Sequence, residues 1–207
     1  VHMYDLYVSL VDVPEKTYTF EEARTIVIEA LKPLGKDYGK VLKKAFSEGW
    51  IDVCENQGKR VGAYSWGCYD CHPYVLLNWQ GTINDVFTLA HELGHALHSY
   101  YSNASQPIQY ANYKIFVAEV ASTVNENLLM EYMLKKSKDN TEKAFLLNHY
   151  LEEFRATVYR QTMFAEFEKI THETVESGEP LTADEFNKIY YDLNKKYYGK
   201  SCIVDKQ

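Results

Sequence analysis

His91-Glu92-Leu93-Gly94-His95 is an H-E-x-x-H sequence inside a longer stretch that has helical periodicity. Residues four apart on a helix lie one above the other, so His91 and His95 can present imidazole nitrogens to one metal ion. Glu92 lies beside them, where its carboxylate can take a proton from a water molecule on that metal. The pentad therefore predicts a zinc site on a helix, with Glu92 as the general base.

The residues around this pentad extend the helix on both sides. Neither residues 82–90 nor residues 96–101 contain glycine or proline, so the pentad falls in the middle of a helix and not in a loop. Short H-E-x-x-H patterns also arise by chance. The alternative interpretation is a pair of surface histidines that flank a glutamate, and the helical context argues against it.

Composition and charge limit the classes of protein to which the chain can belong. Its 207 residues suit one large domain or a tightly fused pair, and 46% hydrophobic residues suffice for a core. A net charge of −7 argues against a nucleic acid or an anionic membrane as partner. The sequence shows neither an apolar stretch that could span a bilayer nor a signal-peptide pattern. Because it opens at Val1 and not at Met, we expect a piece of a longer protein.

The chain contains four cysteines, Cys54, Cys68, Cys71 and Cys202. Four are too few for a disulfide scaffold, so we expect reduced thiols in a cytoplasmic protein. Cys68-x-x-Cys71-His72 also spells a c-type haem attachment pattern, but a protein of that kind would be exported. A redox dithiol would need a thioredoxin-like βαβ context, and a structural zinc site would need two further ligands. We interpret the pair as two reduced thiols beside a turn.

The N-terminal third of the chain changes from helical to strand-like signals. A capping box of Thr19 and Glu22 predicts a helix that runs to about Lys32, and a second helix should cover roughly residues 37–47. Between residues 50 and 79, glycines punctuate short runs rich in Val, Tyr and Trp. These are strand and turn signals, so we expect a small sheet there.

Helical signals dominate the sequence from residue 82 onward. A second capping box, formed by Thr182 and Glu185, opens the last of these helices. The predicted helices cover four stretches: 82–102, 113–136, 141–177 and 182–198. The fold class is therefore mainly α, with a small β-sheet near residues 50–79.

A catalytic zinc site needs three protein ligands, and two residues compete for the third place. His98 lies seven residues after His91, roughly 10 Å further along the helix axis, which is too far for both to share one metal. We expect His98 to be a helix-face residue hydrogen-bonded near the site. Glu119 is the better choice, because it lies in an apolar run of the next helix, where a cation would offset the cost of burying a carboxylate. An ion pair with Arg or Lys is its alternative role.

Glu126 lies two turns after Glu119 on the same face of the predicted helix. At this position a carboxylate can hydrogen-bond to a metal-binding histidine and orient its ring. The sequence leaves this role and that of a plain surface glutamate equally open.

Five stretches of the chain carry a recognisable combination of motifs: HMYDLYV (2–8), GAYSWG (62–67), HPYVLLN (72–78), HELGHALH (91–98) and FVAEVAS (116–122). They resemble the thimet-oligopeptidase-like zinc peptidases, and in particular their bacterial oligoendopeptidase F branch. Together they extend along essentially the whole chain, so the combination is far more specific than the pentad alone.

The resemblance implies a mostly helical catalytic domain with zinc at the base of a deep channel, and a zinc endopeptidase that acts on short peptides. In that family the two histidines of the pentad and a downstream glutamate bind zinc, which implies that His91, His95 and Glu119 bind one Zn²⁺ per chain. The glutamate of the pentad is the general base there, which implies the same role for Glu92. The stretch from Gly62 to Tyr64 resembles the strand edge along which an extended peptide lies. We therefore expect substrate contacts from three further residues, Gly62, Ala63 and Tyr64. A strand edge offers backbone groups to any peptide sequence, which implies broad specificity.

Two departures from the family pattern qualify this prediction. Members of the family are several times longer, and they carry a His/Tyr-rich segment near the C-terminus that helps to stabilise the tetrahedral intermediate. Residues 1–207 are therefore expected to be part of a catalytic domain, weakly active or inactive alone, since lost oxyanion donors can cost on the order of a hundred- to a thousandfold in rate. His72 is the fourth residue expected to contact the substrate, and it is a weak substitute for the missing segment in stabilising the intermediate. A non-catalytic peptide-binding fragment of the same fold is the alternative.

Overall fold

The computed structural model describes residues 1–12 and 16–205, and these fall into two compact units. One unit contains residues 16–137, and the other contains residues 1–12 together with residues 138–205. The protein is mostly helical with one small sheet, so the predicted fold class is confirmed. Among the described residues, no helix is both long and apolar enough to cross a membrane.

Five α-helices belong to the first unit, and side chains cap the first turns of two of them. Thr19 accepts a hydrogen bond from the Glu22 backbone in the predicted capping box, and Thr82 with Asp85 forms a similar box that the sequence analysis missed. The helices are α1 (Phe20–Ala30), α2 (Lys36–Ser47), α3 (Ile83–Ser105), α4 (Ile108–Ala111) and α5 (Ile115–Lys136).

The predicted sheet lies between α2 and α3 in the sequence. Its strands are β1 (Ile51–Asp52), β2 (Tyr64–Trp66) and β3 (Tyr74–Leu76), in the order β1-β3-β2. β3 runs parallel to β1 and antiparallel to β2. β2 is therefore an edge strand, and this leaves one row of its backbone groups without a strand partner in the sheet.

Helix α3 forms the centre of the first unit. Leu89, Leu93 and Leu97 recur every four residues, so they lie on one face, and all three are completely buried. Burial of each such side chain contributes on the order of 1.5–3 kcal/mol. Val27, Leu42 and Leu129 from the neighbouring helices complete this core. The pentad therefore lies on a helix that is packed into the core of this unit.

The second unit is an array of helices connected in sequence. The predicted helix over residues 141–177 is confirmed as an unbroken helical run, and its middle part, Phe154–Tyr159, is a π-helical segment. The last helix begins at the predicted capping box of Thr182 and Glu185. The α-helices are α6 (Asn140–Glu153), α7 (Arg160–Glu176) and α8 (Ala183–Tyr198).

Candidate metal centre

Three side chains from α3 and α5 direct potential metal ligands to one point. Nε2 of His91 lies 3.1 Å from Nε2 of His95. Oε2 of Glu119 lies 3.5 Å from the His91 nitrogen and 3.4 Å from the His95 nitrogen. The structure therefore brings together the three residues that the sequence predicts as ligands, and all three lie in the first unit.

The dimensions of this triangle fit a zinc ion. Zinc binds imidazole nitrogen and carboxylate oxygen at about 2 Å with tetrahedral geometry, which separates its ligand atoms by about 3.3 Å. Two histidines and one carboxylate are also a ligand set used by catalytic zinc, which keeps a fourth position for water or substrate. Both the chemistry and the spacing of these residues therefore suit zinc.

Glu126 hydrogen-bonds to the far side of the His91 ring. Its Oε1 lies 2.8 Å from Nδ1 of His91, and its side chain is only 18% exposed. A carboxylate at this place accepts the Nδ1 proton, which leaves the lone pair of Nε2 on the side that faces His95 and Glu119. Of the two roles that the sequence left open for Glu126, the geometry matches orientation of a metal ligand.

The two histidines differ in their electrostatic surroundings. Burial lowers the pKa of His91, but the hydrogen bond that His91 donates to Glu126 outweighs this effect together with the nearby carboxylates, and the net change in pKa is upward. Burial and the neighbouring His91 lower the pKa of His95. A lowered pKa keeps the His95 ring neutral near pH 7, which is the form that binds a metal.

Glu92 is buried next to these ligands and faces the sheet. Only 7% of its surface is exposed. Burial raises the pKa of its carboxyl above the usual value, while His91 and a hydrogen bond from the backbone of Ser65 oppose this rise. Ser65 is the central residue of the edge strand β2, so the carboxylate of Glu92 lies beside the backbone of that strand. A raised pKa brings the group closer to the range in which a general base works best.

Close contact between α3 and α5 makes this convergence possible. A Cβ atom on Gly94 would lie within 3.0 Å of the Ala121 and Ser122 backbones, so only glycine fits there without a shift. Asn125 adds a polar connection, because its Nδ2 donates to the Ala90 carbonyl over 2.9 Å. Neither contribution was predicted from the sequence. Small residues on both helices, at 94, 121 and 122, are the signal that could have indicated a close crossing.

A side chain on α2 also forms a hydrogen bond with Asn125. The Tyr38 hydroxyl on α2 donates a hydrogen bond of 3.0 Å to Oδ1 of Asn125, which is almost completely buried. Burial is the main reason that the pKa of Tyr38 rises to about 12. The hydroxyl therefore stays protonated and keeps donating throughout the neutral range. The two hydrogen bonds of Asn125 therefore connect α2 and α5 to Ala90 of α3, the residue just before His91.

The apolar run around Glu119 does not form part of the core, contrary to the prediction. Phe116 is 85% exposed and Val120 is 55% exposed, and the Glu119 side chain is 46% exposed. The physical reason is that only one face of α5 packs against α3, through residues such as Ala118 and Ser122. The prediction that the Glu119 carboxylate is buried was therefore wrong, although Glu119 does meet the two histidines.

His98 lies outside the three converging ligands, as predicted, but its surroundings differ from the expectation. Its ring stacks on Tyr113, with 3.7 Å between the ring centroids. Its Nδ1 is buried and has no hydrogen-bond partner among the residues that the structure describes. The expected hydrogen bond is thus replaced by aromatic stacking, because the chain after α4 places Tyr113 over the imidazole.

The predicted substrate-binding residues lie along the edge strand and the loop that follows it. Gly62 and Ala63 precede β2, and Tyr64 is its first residue. Gly62 has a φ angle of +86°, which glycine adopts readily, and its carbonyl accepts a hydrogen bond of 2.8 Å from Asn78. Three of the four predicted contacts are therefore next to Ser65, whose backbone meets Glu92.

His72, the fourth predicted substrate contact, lies in the loop between β2 and β3. Its ring stacks on Trp50 at a centroid distance of 5.2 Å, and its Nδ1 lies 2.9 Å from the Pro73 carbonyl oxygen. Since one face and one nitrogen of the ring are engaged in this way, Nε2 is the atom left for a substrate.

Comparisons with known proteins agree with this geometry. The family described as Peptidase family M3 matches residues 1–207. Oligopeptidase PepF of Bacillus subtilis (strain 168) is 52% identical over 207 residues, which are 100% of this chain and 31% of that protein. The chromosomal oligoendopeptidase F of Lactococcus lactis subsp. cremoris is 50% identical over 200 residues, covering 97% of this chain and 33% of that protein.

Solved structures show the same similarity. A crystal structure from Chlamydophila abortus superposes with a TM-score of 0.83 at 47% identity, and it covers 99% of this chain and 34% of that one. Oligoendopeptidase-F from Enterococcus faecium superposes with a TM-score of 0.63 at 35% identity, covering 98% of this chain and 28% of that one. The chain spans about a third of the length of the curated relatives it matches.

Proposed function

The chain belongs to peptidase family M3, and from this we propose that it carries the zinc site of an endopeptidase that hydrolyses short peptides. The observation that carries the proposal is the convergence of His91, His95 and Glu119 within 3.5 Å of one another, with the buried Glu92 beside them. Residues 1–207 would then form part of the catalytic domain. A cytoplasmic location is included in the proposal, on the basis of the low cysteine content.

Each residue of the site has a distinct task in this proposal. When bound, zinc polarises the scissile carbonyl and lowers the pKa of a water molecule to about 7. His91, His95 and Glu119 would hold the ion, and Glu126 would keep Nε2 of His91 unprotonated and correctly oriented. Glu92 would accept a proton from the attacking water and deliver it to the leaving amine. Burial raises the pKa of its carboxyl above the usual value, which brings it closer to the range in which one group can both take up and return a proton.

The edge strand supports the choice of a peptide as substrate. β2 has β3 on one side only, so the other side of its backbone can pair with an extended peptide. The backbone of Ser65 in β2 interacts with the Glu92 carboxylate. A peptide bound along β2 would therefore have its backbone near the general base. Gly62, Ala63 and Tyr64 would contact the bound peptide. Backbone pairing reads no side chains, which is consistent with broad specificity.

The experiment that tests this function combines metal analysis with a matched substitution. About one zinc per chain is expected in protein purified without chelator, and Glu92→Gln should retain it. Hydrolysis of a fluorogenic peptide should fall on the order of a hundred- to ten-thousandfold in Glu92→Gln, because the general base is removed. The hydrolysis assay uses the full-length protein. The exposed Glu131 provides the control Glu131→Gln, which should change neither quantity.

Two results would contradict the proposal. Full hydrolysis by Glu92→Gln would show that another group is the general base. Peptide binding without zinc and without hydrolysis would instead support the non-catalytic peptide-binding alternative.

A further inference from the structure

Cys68 and Cys71 occupy the two ends of a tight turn in the loop between β2 and β3. The backbone N–H of Cys71 donates a hydrogen bond of 3.2 Å to the Cys68 carbonyl, with Tyr69 and Asp70 at the centre of the turn. Both cysteines are exposed and free. A turn of this kind keeps its end Cα atoms within about 7 Å of each other, a separation close to the range that a disulfide spans.

The two thiols also influence each other's protonation. The Cys68 side chain is the main reason, ahead of burial and the charge of Asp70, that the pKa of Cys71 is raised. A raised pKa means that Cys71 is mostly protonated at neutral pH, so it is not reactive as an isolated thiol. Its chemistry therefore depends on the sulfur next to it.

Contacts at both the base and the tip hold this loop in place. At the base, Gly67 packs so closely on Pro73 that an added Cβ would lie 3.1 Å from the Pro73 Cα. At the tip, the Tyr69 hydroxyl donates a hydrogen bond of 2.6 Å to the carbonyl of Gln106, just after α3. Asn103 of α3 lies 3.4 Å from the Cys68 carbonyl oxygen. A loop fixed at these points keeps its two cysteines adjacent.

We propose that Cys68 and Cys71 are a modification site at which a low-molecular-weight disulfide such as oxidised glutathione produces an internal disulfide. One cysteine, as its thiolate, attacks a sulfur of the small disulfide and releases one small thiolate. The other cysteine then loses its proton and attacks the protein sulfur of the mixed disulfide, which releases the second small thiolate. In total, two protein thiols lose two protons and two electrons, and the small disulfide is reduced to two thiols.

The site follows directly after the edge strand β2, so the cross-link would restrict the loop that connects this strand to β3. If the proposed peptidase function is correct, the same strand binds the substrate peptide; the disulfide itself does not depend on that function. Its effect on the strand is measurable without any assay of activity. Amide hydrogen exchange in residues 64–66 should slow after oxidation, because the closed loop opens less often.

Trypsin separates the cysteines of this chain for the decisive measurement. Cleavage after Lys and Arg places Cys68 and Cys71 alone in the peptide 61–114, Cys54 in 45–59 and Cys202 in 201–206. The protein is equilibrated with mixtures of reduced and oxidised glutathione, quenched with acid, alkylated, digested and weighed by mass spectrometry. Peptide 61–114 is expected to lose two hydrogen atoms and both alkyl labels at mixtures in which Cys54 and Cys202 still take up label.

Single substitutions provide the matched controls. Cys68→Ser and Cys71→Ser each leave one thiol in the turn, which can form only a mixed disulfide, so the loss of two hydrogen atoms should disappear. Three outcomes in the unsubstituted protein overturn the proposal: glutathione adducts on peptide 61–114 at equilibrium, labelling of both cysteines under conditions that oxidise Cys54, or a disulfide to Cys54 or Cys202. None of these readouts involves zinc or hydrolysis, so failure here is distinct from failure of the peptidase function.

Discussion

Gly94 lies so close to Ser122 that a Cβ atom on Gly94 would be 2.7 Å from the Ser122 Cα. Gly94 lies between His91 and His95 in the pentad. Ser122 lies three residues after Glu119, and its hydroxyl donates a hydrogen bond of 2.8 Å to the Glu119 carboxylate. The crossing point of α3 and α5 is thus surrounded by the proposed ligands. The distance between the helices at this glycine therefore determines whether Glu119 reaches the histidines.

We expect Gly94→Ala to damage both stability and metal binding. The added methyl group meets backbone atoms, which cannot rotate away, so the helices must separate at a cost of about 1–3 kcal/mol in the free energy of unfolding. Chemical denaturation measures this cost, and titration with zinc measures the loss of affinity that follows when Glu119 moves away.

Gly39 provides the matched control for that substitution. It lies inside α2, and an added Cβ meets nothing within 4 Å. Gly39→Ala should therefore stabilise the protein by up to about 1 kcal/mol, since alanine favours a helix over glycine. Equal effects of the two substitutions would show that the crossing at Gly94 is not tight.

Glu126→Gln should weaken zinc binding roughly ten- to a hundredfold while the fold is preserved. The neutral amide no longer supplies the negative charge that stabilises the Nδ1 proton of His91, and loss of such a partner costs about that factor in affinity. The measurement is a competition with a chelator of known affinity. Glu131→Gln, on the same helix but on an exposed ion pair with Lys135, should leave the affinity unchanged. Identical affinities in both variants would remove Glu126 from the site.

Glu119→Ala and His98→Ala should have opposite consequences for the metal. Glu119 supplies an oxygen within 3.5 Å of both histidine nitrogens, so its removal should abolish stoichiometric zinc. His98 only stacks on Tyr113, so its removal should lower the thermal stability and leave one zinc per chain. Elemental analysis of both purified variants decides between them, and the reverse pattern would identify His98 as the third ligand.

Local sequence rules predicted much of this protein because they depend on short distances along the chain. The capping boxes at Thr19 and Thr182 begin helices where they were expected, since a hydroxyl and a carboxylate three residues apart satisfy the same backbone groups in any protein. The spacing of His91 and His95 likewise follows from the helix repeat alone. For such features the sequence is sufficient.

Features that depend on packing between distant segments were not predictable in this way. The small residues at 94, 121 and 122 permit a close crossing of the two helices, but nothing in the sequence shows that Gly94 and Ser122 are the residues that meet there. The apolar residues around Glu119 were predicted to be buried, yet Phe116 is largely exposed because α5 uses another face for packing. The π-helical segment at Phe154–Tyr159 also follows no local signal. These features depend on which distant segments pack together, and local sequence patterns do not specify that.

Glu166 on α7 should make the stability of the second unit depend on pH. Hydrogen bonds from Lys196, over 2.6 Å and 2.7 Å, and from the Tyr197 hydroxyl lower the pKa of this carboxyl below its ordinary value of 4.5. A carboxyl with a lowered pKa in the folded state contributes stability above the unfolded pKa, and this contribution is lost as the pH falls through the folded pKa. Glu166→Gln should therefore lower Tm near pH 7, and the difference from the unsubstituted protein should shrink from about pH 4.5 downward.

The exposed Glu168→Gln on the same helix is the control, with a difference in Tm that stays small throughout. A Glu166→Gln difference that is the same at about pH 7 and about pH 3 would show that the charge of Glu166 does not stabilise the fold.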